Sequence, residues 1–144
     1  MNQNMAEFIE AERIAVVGVS DRKFGGSIYR ILKKRGFKVY PVHPLREAFD
    51  GDRCVRSLTK LPDGVDAAVV AVSPDHAEPV VNEAHEAGIK RLWFQRGPDF
   101  REVALMAEAY GIKTVTGKCI LLYAGEVTGI HAVHRFFAKV LKTY

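Results

Sequence analysis

A chain of 144 residues, 48% hydrophobic and 26% charged, is sized for one globular domain with a sizeable buried core, and its net charge of +4 suits an anionic ligand or nucleic acid without requiring either. Two cysteines, Cys54 and Cys119, with no CxxC and no His/Cys ligand spacing, argue against a disulfide framework or a zinc site. The acidic, amphipathic start MNQNMAEFIEAERI does not read as a signal peptide and no apolar run reaches membrane-spanning length, so a reducing cytoplasm is the expected setting.

In chain order, Met5 to Glu12 reads as a short helix with Phe8 and Ile9 on one face. Arg13 to Gly18 is a β-branched first strand ending on glycine, followed by a polar, glycine-containing loop. Ser27 to Arg35 carries Ile28, Ile31 and Leu32 at helical spacing, with Gly36 past its end; Lys33, Lys34 and Arg35 then read as a solvated helix C-terminus rather than a nucleic-acid surface. Phe37 to Val42 is the second strand, and a short strand is expected at Arg53 to Val55. Asp66 to Val72, apolar throughout, has the pattern of a strand covered on both faces. Pro74 opens a helix through Ala87 that Gly88 ends, Arg91 to Gln95 is a fourth strand, and Asp99 caps a helix that Gly111 ends. Ile112 to Val115 is the fifth strand, and a terminal helix spans roughly Thr128 to Leu141.

Strands alternating with helices predict an α/β, Rossmann-like three-layer sandwich: a five-stranded parallel sheet, order 3-2-1-4-5, with helices on both faces. The whole of 1–144 reads as a single domain with a core over about 13–119. Ligands of such sheets bind outside the carboxyl ends of the strands, at the switch point beside strand one. The candidate segments are therefore Gly18 to Ser27, His43 to Arg46, Ser73–Pro74, Gln95 to Pro98 and Gly117 to Cys119.

The NAD fingerprint fails on two counts. Ser20 stands where its second glycine belongs, and Val39-Tyr40-Pro41-Val42-His43-Pro44 brings no ribose-binding acid to the end of strand two. Arg46 could serve NADP, but the missing glycine still counts against a pyrophosphate, and no Walker A loop is present. The strand-end elements Val17-Gly18-Val19-Ser20, Val39 to Pro44, Val72-Ser73-Pro74 and Trp93-Phe94-Gln95-Arg96-Gly97 instead resemble the CoA-binding domain family. These are small Rossmann-like proteins similar to the N-terminal domain of the succinyl-CoA synthetase alpha subunit. The resemblance runs from about Ile14 to Cys119.

The resemblance implies coenzyme A as cofactor, with CoA or an acyl-CoA as partner, and it assigns roles by position. Gly18, Val19 and Ser20, with Lys23 and the Gly25–Gly26 helix start, would cradle phosphates. His43, Pro44 and Arg46 would lie by the adenine and 3′-phosphoribose, Arg46 supplying the cation. Ser73 and Pro74 would flank the adenosine and pyrophosphate, and Gln95 and Cys119 would point toward the pantetheine arm. His43 stands where the family has Asn. The family's synthetases use a phosphohistidine on a second domain, which is not expected in these residues, so no catalytic residue is expected. His131 and His134 could share a ligand, yet no third ligand is apparent; His76 and His85 should face solvent. Cys119 is either a buried small hydrophobe or a thiol able to form a mixed disulfide with CoA. Trp93 and Phe94 should fill the core on opposite faces of the sheet. An NADP-dependent oxidoreductase and a nucleic-acid or protein interaction module are the alternatives, with no membrane partner and nucleic acid disfavoured. Adjacent Phe136 and Phe137 permit a homodimer.

Overall fold

The structure is a computed structural model that describes residues 2–22 and 24–125. Lys23, the terminal helix expected near Thr128 to Leu141, and His131, His134, Phe136 and Phe137 lie outside the described residues.

The chain runs α1 (Gln3–Glu10), β1 (Arg13–Val17), α2 (Phe24–Lys34), β2 (Lys38–Val42), β3 (Ala48–Phe49), β4 (Asp52–Arg53), β5 (Ala67–Val70), α3 (Pro74–Ala87), β6 (Arg91–Gln95), α4 (Arg101–Ala109) and β7 (Lys113–Lys118). Two short 3-10 turns, Leu58–Lys60 and Ile120–Leu122, complete it. The five long strands form one parallel sheet. The expected fold class stands, but the strand order is corrected. It is β2-β1-β5-β6-β7, so in terms of the five main strands 2-1-3-4-5 rather than 3-2-1-4-5.

The reason lies in β2. Pro41 has no N–H to give a ladder, which confines its strand to an edge. Its carbonyl instead accepts the Val55 N–H at 2.9 Å on the outer side. The strand Ala67–Val70, fully buried on both faces, is the one suited to the interior, and it pairs with β1 from Ile14↔Ala67 to Val17↔Val70.

Right-handed crossovers taken in opposite directions from β1 and β5 put their helices on opposite faces. One core gathers α1, α2 and the Ile120–Leu122 turn around Ile14, Val16, Val69 and Trp93. The other gathers α3 and α4 around Ala15, Val70, Leu92 and Phe94. Trp93 and Phe94 thus do fill opposite cores, and the Trp93 indole N–H donates to the Lys118 carbonyl at 2.9 Å.

Helix α2 begins at Phe24, four residues before Ile28, the first position that its apolar spacing marks, because its first turn carries two glycines in place of apolar side chains. Gly18 turns the chain at φ +101°, and a Cβ there would lie 2.5 Å from the Ala71 carbonyl oxygen. A Cβ on Gly25 would overlap the Gly18 carbonyl, and one on Gly26 would overlap the Ser20 carbonyl and sit 2.8 Å from the Phe49 ring. These glycines let the helix lie against the backbone of the loop that precedes it.

Gly26→Ala should therefore lower stability despite alanine's better helix propensity. The propensity gain is about 1 kcal/mol, whereas overpacking costs about 1–3 kcal/mol, and a backbone carbonyl, which cannot swing aside as a side chain can, puts Gly26 at the upper end. A net loss of about 2 kcal/mol is expected in urea unfolding. A midpoint at or above that of the wild type would show that this close approach does not hold the loop.

Candidate functional site

Reversal of strand order at β1 and β5 opens a crevice at their carboxyl ends. The backbone ladder continues just past the strands there, with the Ala71 N–H donating to the Val17 carbonyl at 2.9 Å and the Gly18 N–H to the Val42 carbonyl at 3.3 Å. Above them lies a cavity of about 440 Å³, lined by Gly18, Val19, Ser20, His43, Pro44, Arg56, Ala71, Val72, His76 and Glu83 among others. A second cavity of about 240 Å³ shares Ala71 and Val72 with the first and is completed by Phe24, Ser73, Gln95, Arg96, Pro98 and Phe100. The two form one trough across the sheet edge, beside the N-terminus of α2, whose first N–H groups have no partner within the helix.

The loop that reaches α2 is self-braced. The Ser20 hydroxyl accepts the Arg22 N–H at 3.2 Å, a short turn that leaves Ser20 half-buried on the cavity wall. Asp21 takes two guanidinium groups, Arg30 at 2.6 Å and Arg46 at 3.0 Å. Those contacts, with Arg30 the stronger, hold the Asp21 carboxyl below its ordinary 3.8. Gly25 and Gly26 are buried behind this loop, so they position the helix start and do not line either cavity.

His43 turns the chain with its imidazole. Its Nδ1 accepts both the Leu45 N–H at 3.0 Å and the Arg46 N–H at 2.9 Å. An Asn carboxamide oxygen makes the same kind of turn. Accepting two amides requires a bare Nδ1, which places the ring hydrogen on Nε2. Pro44 follows on the cavity wall, and its carbonyl accepts an N–H of Arg56 at 3.1 Å.

Arg46 is brought close to this region but turned to other partners. Besides Asp21, its Nε donates to the Ala48 carbonyl at 2.9 Å, and its guanidinium sits 5.1 Å from the centroid of the Phe49 ring. Arg30 lies over the same ring at 4.7 Å. The hairpin carrying Phe49 is turned by Asp50 (φ 52°) and Gly51 (φ 80°), both left-handed, as a two-residue hairpin loop demands.

Ser73 and Pro74 begin α3, and the Ser73 hydroxyl meets Nδ1 of His76 at 2.8 Å. His76 and His85 are exposed, as their sequence positions suggest. Gln95 and Cys119 do come together, but with each other. Gln95, 5% exposed, donates to Cys119 Sγ at 2.9 Å and accepts the Ile120 N–H at 3.1 Å, tying the end of β6 to the chain leaving β7. Cys119 is itself buried, and Gln95 has a place on the second cavity wall. Burial also pushes the Cys54 thiol above its usual value, which makes it a poor nucleophile.

Arg56 and Glu83 line the trough without any motif announcing them, whereas Phe24 and Arg96 fall within the candidate segments Gly18 to Ser27 and Gln95 to Pro98. For Arg56 the signal is indirect. It follows the short extended stretch at Arg53 to Val55, which joins the sheet through a parallel bridge between Val42 and Val55. Among the described residues no His, Cys, Asp and Glu side chains cluster as metal ligands, and no helix is long and apolar enough to cross a membrane.

Comparison with known proteins agrees with this geometry. The alpha subunit of ADP-forming acetate–CoA ligase II from Pyrococcus furiosus is 27% identical over 126 residues, 78% of this chain and 28% of that protein. ADP-forming acetate–CoA ligase I from Archaeoglobus fulgidus is 28% identical over 139 residues, 88% of this chain and 20% of that protein. The chain thus spans less than a third of the length of these relatives. A conserved hypothetical protein of Pyrococcus furiosus superposes with a TM-score of 0.72 at 39% identity, covering 76% of this chain and 97% of that one. Because the CoA binding domain family matches residues 12–125, nearly the whole described fold with its strand-end trough, the chain belongs to that family.

Proposed function

We propose that this chain binds coenzyme A or an acyl-CoA along the trough at the carboxyl ends of β1, β2, β5 and β6, and that it performs no chemistry of its own there. The observation that carries this reading is the 440 Å³ cavity in which Gly18-Val19-Ser20 faces His43-Pro44, on a chain of the CoA-binding family. That volume accommodates a nucleotide and not a whole CoA, and Ala71 and Val72 lead on to the second cavity. The pantetheine arm would follow that path, with its thiol end near Ser73, Gln95 and, behind Gln95, Cys119.

In this reading Gly18, Val19 and Ser20 meet the pyrophosphate with the free N–H groups of α2, which favour an anion. Lys23 is kept as a phosphate partner on its sequence position. Gly25 and Gly26 act by seating the helix, Pro74 by fixing the start of α3, and Arg46 by holding the Asp21 loop. His43 and Pro44 form the adenosine wall.

The alternatives are supported less well. A nicotinamide dinucleotide would need a second glycine at Ser20 and an acid after Val42, and neither is present. A nucleic-acid surface on α2 would need free cations, whereas Arg30 and Lys33 are paired with Asp21, Asp50 and Asp52.

Thermal unfolding with added ligand separates the readings. At a hundred-fold excess over its dissociation constant, CoA should stabilise the protein by about 2.7 kcal/mol, a rise in Tm of roughly 5–10 °C. NAD and NADP at the same concentration should leave Tm unchanged; stabilisation by NAD or NADP and not by CoA would reject the assignment. The His43 turn gives an independent check. His43→Ala removes the acceptor of two backbone amides and should cost about 1–3 kcal/mol in stability and weaken CoA binding. His43→Asn should restore both, because its oxygen can take the same two bonds. Failure of Asn to rescue would mean that the imidazole does more than shape the turn.

A further inference from the structure

We propose that Arg56 recognises the 3′-phosphomonoester of the bound coenzyme and thereby sets the preference of the site for CoA over dephospho-CoA. This rests on the CoA reading above. A phosphomonoester carries about −1.5 to −2 charge at neutral pH and asks for a forked, unpaired cation.

Four other cations of this region are already committed, and Arg96 lines the second cavity, not the one walled by His43 and Pro44. Arg46 is shared between Asp21, the Ala48 carbonyl and the Phe49 ring. Arg30 is held by Asp21 and Asp50, and Lys33 by Asp50 and Asp52. Arg35 donates to the Leu121 and Ala124 carbonyls. Arg56 has no carboxylate within ion-pair distance among the described residues, and its one recorded bond is from Nη1 to the Pro44 carbonyl at 3.1 Å. The remaining guanidinium N–H groups are left to meet an anion. A carboxylate on the cavity wall, Glu83, accepts the Leu58 N–H at 3.2 Å.

Placement is as specific as chemistry. The Val55 N–H donates to the Pro41 carbonyl at 2.9 Å, and the His43 N–H to the Val55 carbonyl at 3.0 Å. This rung fixes residue 56 beside His43 and Pro44. Arg56 stands between the nucleotide cavity and a hollow of about 700 Å³ on the outer side of β2, where Arg53 and Lys60 add positive charge and Glu47 a negative one. A phosphate on the ribose of an adenosine lying against His43–Pro44 can project into that hollow past the Arg56 fork.

Calorimetric titration of wild type, Arg56→Ala and Arg56→Lys with CoA and dephospho-CoA tests this. Arg56 is exposed, so Arg56→Ala should melt within about 2 °C of the wild type. Wild type should bind CoA about ten-fold or more tighter than dephospho-CoA. Arg56→Ala should weaken CoA about ten- to a hundred-fold while leaving dephospho-CoA within about two-fold, and Arg56→Lys should recover part of the loss. Equal wild-type affinity for the two ligands, or an Arg56→Ala variant that loses both alike or neither, overturns the role of Arg56 while the CoA reading stands. A wild type that binds neither ligand overturns both.

Discussion

The first turn of α2 lies against the backbone of the loop that leads into it, and most of the site follows from that contact. Gly25 and Gly26 leave room for the carbonyls of Gly18 and Ser20 where any side chain would overlap them. Gly18 in turn passes against the Ala71 carbonyl, so β1, its loop and the end of β5 are stacked at backbone separation. A helix N-terminus set this close to the strand ends stands beside the trough, with Phe24 on the wall of the second cavity, and its positive end favours an anion there. Had the turn carried side chains, helix and loop would stand apart and the anion-attracting end would be withdrawn from the crevice.

The charges around the loop serve that arrangement more than they stabilise the fold. Asp21, Arg30 and Arg46 are all partly exposed, and pairs of that kind are worth about 0–1 kcal/mol each. Their consequence is orientation. Both guanidinium groups are drawn over Phe49, whose ring closes on Gly26, so the hairpin, the loop and α2 share one apolar contact roofed by cations. Beneath it, burial and the Asp52 carboxylate push the Tyr29 hydroxyl well above its usual value, keeping it a donor to Asp52, which also pairs with Lys33. The network takes up Arg30 and Lys33, two of the basic residues along α2.

Much of the fold was legible because it is written in periodicity. The both-face burial of Ala67–Val70, the Ile28–Ile31–Leu32 stripe and the glycines closing α3 and α4 each have a local cause. The strand order departs from the expected one for a reason that is itself local, since Pro41 denies β2 a second neighbouring strand of the main ladder. The Asp50–Gly51 turn is a hairpin signal of the same local kind. The trough residues divide differently. Gly18, Ser20, His43 and Ser73 are reached from the rule that ligands sit past the strand ends. Whether a cation is free or committed depends on partners distant in sequence, such as Asp21 for Arg46 across 25 positions, and no spacing rule reports that.

The corrected order also sharpens why the trough is where it is. With β5 beside β1, the helices that leave these strands, α2 and α3, depart to opposite faces, and the gap between their N-termini opens over Gly18 and Ala71. In the order first expected, β1 would have faced β6 across the switch point, and the Ser73–Pro74 start of α3 would have stood two strands away. Adjacency of β1 and β5 instead gives both cavities a common wall at Ala71 and Val72. A ligand with a nucleotide at one end and a long flexible arm at the other matches that divided trough better than a dinucleotide, whose second nucleoside would need a pocket as large as the first. The second cavity has about half the volume, 240 against 440 Å³, and is walled by Phe24, Pro98 and Phe100, the surroundings an arm of amide and methylene groups would meet.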